Sequence, residues 1–122
     1  MINGLVNPKI EATIPLVVLG LVSQQQIETV IDTGFSGFLT LPPALIATLK
    51  LTWLCREPGV LADGSVEYFE VYRGAVNWDG HPRSIEIQAA NAQPLVGMAL
   101  LEHHSLHVEV ITGGSVIIAP LP

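Results

Sequence analysis

One run in this 122-residue chain places a carboxylate where it could do chemistry: Val30-Ile31-Asp32-Thr33-Gly34-Phe35-Ser36-Gly37. An apolar, β-branched stretch delivers Asp32 into a tight turn built on Gly34, a residue type that permits sharp backbone turns. A carboxylate so placed can accept or donate a proton in catalysis. Taken alone, it can equally do no more than cap its own turn through the backbone. The run occurs once in the chain. A mechanism that needs two such carboxylates would leave each chain with half an active site and would require a dimer.

Other chemistry-bearing residues suggest less. His103, His104 and His107 invite a metal reading, since His103 and His107 have i, i+4 spacing, but the helix that would carry them is expected to end near Ser105. No Cys-rich or carboxylate-rich set completes a site, and zinc needs three or four protein ligands. They read as a solvated helix end, with no metal. Asp63 and Asp79 each precede a glycine and read as hairpin turns. Glu67 and Glu70 sit at odd spacing in a strand, so they face opposite sides and make a poor carboxylate pair for glycoside chemistry. Trp53, Trp78, Tyr68 and Tyr72 could line a groove, with core or interface packing as the default. Cys55 is the only cysteine. It has no nucleophile motif around it and reads as a structural thiol.

Composition narrows the class. The length suits a single domain spanning 1–122. Hydrophobic residues make up 49% of the chain and charged residues 13%. A chain this apolar and this short is expected to carry a sticky patch that self-associates. The net charge is −6, and the five Lys and Arg residues form no cluster. Nucleic acid is therefore not an expected partner, nor is an anionic membrane surface. The apolar run Ile14–Val22 is too short to span a bilayer and is broken by Gly20. With no secretory signal evident and no possible internal disulfide, the expected location is the cytoplasm.

The elements that must position Asp32 are mostly strands. Lys9–Leu19 and Ile27–Ile31 read as a hairpin leading into the Asp32 turn. Phe38–Leu41 is a short strand stopped by Pro42-Pro43, and Ala44–Leu49 suits a short helix. Leu51–Glu57 reads as strand or irregular structure. Val60–Val76 is a hairpin around Asp63-Gly64, Asp79-Gly80 is a further turn, and Ser84–Ala89 is a strand with Ile85 and Ile87 on one face. Leu95-Val96-Gly97 is a buried strand and Met98–His103 a short helix. Leu106–Ile111 and Ser115–Ile118 flank the turn Thr112-Gly113-Gly114. Many short strands with glycine-rich turns predict an all-β, barrel-like domain.

The order of these pieces carries a resemblance. An apolar strand enters Asp32-Thr33-Gly34, a hairpin tipped by Asp63-Gly64 follows, and then come Leu95-Val96-Gly97 and the helix at Met98. This resembles the retropepsin-like aspartic proteases, in particular the small bacterial members with one Asp-Thr-Gly per chain, from Lys9 to Ile118. The resemblance implies a closed acid-protease β-barrel with one or two short helices and a symmetric homodimer. It implies hydrolysis of a peptide or protein substrate by a water held between the two Asp32 carboxylates, with no metal or cofactor. Two adjacent carboxylates cannot both ionise cheaply and so share a proton, the dyad behaviour known from aspartic proteases. Thr33 takes the role of a hydroxyl bonding across the two-fold axis, and Gly34 lets the backbone turn beside the carboxylate. Gly97 packs behind the turn. Ala62, Asp63, Gly64 and Ser65 form the flap over substrate, and Phe35 and Ser36 extend the catalytic turn. Phe35 stands where retroviral enzymes usually have Ala, Ser36 where they have Asp, and Met98 where they have a polar residue. The alternative reading is a non-catalytic peptide-binding or assembly module on the same fold.

Overall fold

A computed structural model describes all 122 residues, with ten strands and two short helices. The strands are β1 (Ile2–Val6), β2 (Ala12–Leu19), β3 (Gln24–Ile31), β4 (Leu39–Leu41), β5 (Thr52–Val60), β6 (Val66–Trp78), β7 (His81–Ala89), β8 (Leu95–Val96), β9 (His104–Val108) and β10 (Ser115–Pro120). The helices are α1 (Pro43–Leu49) and α2 (Met98–Leu101). No helix is long and apolar enough to cross a membrane.

Strand alternation builds the core. In β2, Ile14, Leu16 and Val18 point inward while Pro15 faces out. Ile85 and Ile87 do the same in β7, as their period-2 spacing predicts. These side chains join Leu39, Leu41, Val76, Trp78, Val96, Leu100 and others in one apolar cluster. Pro15 has no amide to donate. It falls where one edge of β2 is unpaired, between the stretch bonded to β1 (Ala12, Thr13) and that bonded to β6 (Val17–Leu19). Pro43 opens α1, and Lys50 closes it in a left-handed conformation (φ 52°).

All ten strands belong to one sheet, ordered β5-β6-β7-β4-β8-β3-β2-β1-β10-β9, with β6 also pairing β2. Two features of this order matter for the site. First, β8 inserts between β3 and β4, parallel to β3 and antiparallel to β4, so the Asp32 segment loops from one neighbour of β8 to the other. Second, β6 pairs β7 only from Val71 onward, so from Val66 to Glu70 its partner is β5 alone. The outer part of that hairpin is a two-stranded ribbon.

Several boundaries differ from the sequence reading. Lys9–Glu11 is not the start of a strand but part of a turn tied by Asn7, whose Oδ1 accepts from the amides of Lys9 (3.0 Å) and Glu11 (2.9 Å). The strand β1 was not anticipated. Gly4 masks it, yet a Cβ there would lie 1.8 Å from the Thr13 carbonyl oxygen, so the close β1–β2 crossing requires glycine. Leu51–Glu57, left open between strand and irregular structure, is strand from Thr52. The helix expected over Met98–His103 stops at Leu101. His104 instead starts β9, its Nε2 accepting from the Trp78 indole (3.3 Å) with the rings edge to face. The strand expected over Leu106–Ile111 ends at Val108, which frees Val110 and Ile111 into a loop.

Candidate active site

Asp32 follows the last residue of β3, and its place is set by a strand that arrives some sixty residues later. Its amide donates to the Val96 carbonyl (2.9 Å). Two residues earlier, the Val30 amide donates to the Pro94 carbonyl (2.9 Å). On the other side of β8, the Gly97 amide donates to Phe38 (3.0 Å), and the Leu95 amide donates to the Thr40 hydroxyl (3.0 Å). The segment continues into α2 with Met98 N–H to Phe35 carbonyl (2.8 Å) and Ala99 N–H to Gly37 carbonyl (3.1 Å). The loop from Asp32 to Phe38 is therefore stitched to β8 and α2 along its length, which fixes where the carboxylate points.

Gly97 explains how closely the two segments lie. A Cβ at this position would sit 2.1 Å from the Gly37 carbonyl oxygen and 2.6 Å from the Phe35 ring. No side chain fits behind the turn. Phe35 is half-buried and spreads its ring across Gly37 and Gly97, while Ser36 is exposed.

Within the turn, Asp32 Oδ1 accepts from the Gly34 amide (2.9 Å). No cation pairs with the carboxylate, and its second oxygen has no hydrogen bond within the chain. Gly34 lets its N–H approach the carboxylate, as expected, without adopting a positive φ. A Cβ there would lie 3.3 Å from Asp32 Oδ1, a tight contact with that side chain alone. Thr33 is exposed and its hydroxyl has no partner within the chain. The turn thus presents a carboxylate and a hydroxyl outward from a rigid base.

Arg83 on β7 was missed by sequence reasoning. Its guanidinium donates to the carbonyls of Leu100 (3.0 Å) and Ala99 (3.4 Å) and lies 5.7 Å over the Phe38 ring. It satisfies the free carbonyls of α2, which itself holds the Asp32 loop. A single Arg in an alternating strand gives no signal of this role.

The expected flap residues Ala62, Asp63, Gly64 and Ser65 form the tip of the β5–β6 hairpin. Gly64 has φ +84° with open space around it. Asp63 Oδ1 accepts from the Ser65 amide (2.9 Å) and hydroxyl (2.5 Å), and these bonds hold its carboxyl below the usual aspartate range. Val60, Val66 and Tyr68 beside the tip are exposed. At the hairpin base, Glu70 accepts from the Trp53 indole (2.7 Å) and from Arg56 Nε (3.0 Å), which lowers its pKa, the Trp53 bond first. No hydrogen bond or ion pair joins the tip to the Asp32 turn.

The remaining candidates sit elsewhere. His104 Nδ1 lies 2.9 Å from the Glu102 carbonyl while Nε2 faces the Trp78 N–H, an arrangement that suits the tautomer carrying its proton on Nδ1. His103 and His107 are exposed, and no group of three or more His, Cys, Asp or Glu side chains gathers into a metal-binding set. The Cys55 thiol is pushed up by desolvation, with the Glu57 carboxylate adding to it, so it is a poor nucleophile at neutral pH. A groove of about 800 Å³ runs along β1, β2 and β3 to the turns at Asn7 and Gly113, and Asp32 is not among the residues that line it. In comparisons with known proteins, no family model, no curated protein and no solved structure matches the chain.

Proposed function

We propose that the chain is a retropepsin-like aspartic endopeptidase that works as a symmetric homodimer in the cytoplasm, each copy supplying one Asp32. The observation that carries this reading is the base of the Asp32 turn. The carboxylate is held by Gly34, hung from Val96, and backed by a Gly97 that leaves no space for a side chain. An Asp that merely terminates a strand has no need of that support. The circuit β6–β7–β4–β8–β3–β2–β6, bonded at every step, supports reading the sheet as the closed barrel of this class. The unpartnered Thr33 hydroxyl suits a contact with a second turn, and the free-standing hairpin suits a flap.

The chemistry follows from pairing two Asp32 carboxylates. They share one proton, because ionising both in close contact is costly. The ionised member removes a proton from a water as its oxygen attacks the scissile carbonyl carbon, and the protonated member hydrogen-bonds to the carbonyl oxygen. Collapse of the tetrahedral intermediate breaks the C–N bond, and the leaving nitrogen takes a proton from the pair. An extended peptide can add its backbone to the hairpin edge as a further strand.

The direct test is cleavage of a peptide library by wild type and Asp32→Asn, with oligomeric state measured on the same samples. Cleavage by a wild-type dimer, lost in a dimeric mutant, supports the reading. A well-formed dimer that cleaves nothing, yet retains peptides, identifies the non-catalytic binding module instead.

A further inference from the structure

The strand registers place three turns on one rim of the sheet. Thr13 pairs Val30, so the start of β2 lies beside the end of β3, where Asp32 begins. Val6 pairs Ala12, so the Asn7–Glu11 turn is next along the rim. Val6 also exchanges backbone hydrogen bonds with Gly113 (2.8 Å) and Gly114 (2.9 Å), which brings up the Glu109–Gly114 loop. On the far side of Asp32 stand Gly97 and Met98.

The Asn7–Glu11 and Glu109–Gly114 turns are both tied by hydrogen bonds, and both present large aliphatic side chains to solvent. The first is tied by Asn7, whose amide and side chain bond to Glu11 and Lys9. It holds Ile10 at φ 58° with half its surface exposed. A β-branched residue rarely adopts this backbone, which is strained for it. The second turn is tied by Glu109, whose carboxylate accepts from the Ser115 amide and hydroxyl, and by Gly114, where a Cβ would meet the Glu109 carbonyl oxygen at 1.9 Å. It holds out Val110 and Ile111, which are 65% and 66% exposed. Strain and ordered hydrogen bonds spent to hold aliphatic groups in water are explained if those groups are covered.

We infer that a second copy of this chain covers this rim, and that Ile10, Val110 and Ile111, all to one side of Asp32, form the apolar core of the homodimer interface. This rests on the paired-Asp32 reading above. The occupant is a second copy because the site on the same rim is incomplete without one: it has one carboxylate and one unpartnered Thr33 hydroxyl. A two-fold axis passing by Asp32 brings each rim against itself, so each aliphatic group is buried twice.

The test is the dimer dissociation constant by sedimentation, with circular dichroism and thermal melts to monitor the fold. Ile10→Asn removes the apolar group and suits the left-handed backbone, so the monomer is expected to fold at least as well as wild type. It should weaken the dimer roughly 100-fold, since the loss counts twice. Ile111→Asp should abolish the dimer. Leu21→Asp, at the opposite end of the β2–β3 hairpin, should leave it intact. A wild type that stays monomeric at its highest soluble concentration overturns the inference. So does a dimer indifferent to both rim variants, or one equally disrupted by Leu21→Asp. Peptide cleavage measured in parallel separates the two readings. A dimer broken by the rim variants whose wild type cleaves nothing keeps the interface and sinks the protease. Cleavage by a dimer that ignores the rim variants does the reverse.

Discussion

Asp32 and Asp63 sit in turns of the same local design. Each carboxylate accepts the amide two residues ahead at 2.9 Å, Gly34 in one case and Ser65 in the other. What surrounds the two turns differs. The Asp32 turn hangs from β8, packs on Gly97 and is backed by α2 and Arg83. The Asp63 turn bonds only within itself, at the end of a ribbon with no third strand. Local side-chain chemistry makes a turn, and long-range contacts make it rigid. Long-range contacts hold the Asp32 turn, which suits the reacting group proposed above, and the Asp63 turn is held only locally, which suits the proposed flap.

The largest expected difference between the two is in turnover. Asp32→Asn should lower peptide cleavage on the order of 10³-fold or more, the usual scale for losing an acid–base group. Asp63→Asn keeps an acceptor for Ser65 and should change cleavage less than about tenfold, with the effect in KM. Equal losses from the two would erase the distinction.

Next is stability. Gly97→Ala forces a Cβ into the Gly37 and Phe35 carbonyls. It should cost about 1–3 kcal/mol, read from the denaturation midpoint, and should lower cleavage as the turn shifts. Gly64→Ala meets open space but keeps φ +84°, so about 1 kcal/mol at the hairpin tip is the expected local cost, with little change in global melting. Arg83→Ala should fall between them, at about 1–2 kcal/mol, by stripping two α2 carbonyls of their donor.

Hydrogen exchange sharpens the contrast further. The amides of Asp32 and Gly97 should exchange only through near-global opening, and those of Leu61 and Gly64 should exchange far faster. Similar protection at both turns would mean that the hairpin is not a free ribbon.

The smallest effect is in acid. Asp63 has its pKa lowered in the fold, chiefly by the Ser65 hydroxyl. A lowered folded pKa means that the turn's stabilisation is fully present above the ordinary aspartate value. It is lost as pH falls through the folded value. The Ser65 amide resonance should therefore move only below the normal aspartate titration range. Glu109 behaves the same way through Ser115, so the rim loop should loosen at acid pH as well.

Much of the β structure was legible residue by residue. Alternation marked β2, β6 and β7. Asp79-Gly80 marked a two-residue turn, and both its residues have positive φ, as the hairpin type requires. Asp63-Gly64 marked the hairpin tip. What escaped notice depended on partners far away in sequence. β1 pairs β10, more than a hundred residues on, and its Gly4 lowers the local strand signal for the sake of a close crossing. The expected helix stops two residues short of His103, and His104 just beyond it meets the indole N–H of Trp78 on another strand. Arg83 carried no signal of its own in the sequence, and its contacts with the α2 carbonyls and Phe38 come from segments far along the chain.

The sequence by itself determined where the chain turns and which faces are apolar, because those depend on φ preferences and on spacing along a few neighbouring residues. It singled out Asp32 by the Thr33-Gly34 that follows it, but not how firmly either aspartate turn is held. Only the tertiary structure decided that β8 slides between β3 and β4 beneath Asp32, and that nothing comes beneath Asp63. That decision rests on hydrogen bonds and a close backbone approach between segments some sixty residues apart, which no local pattern encodes.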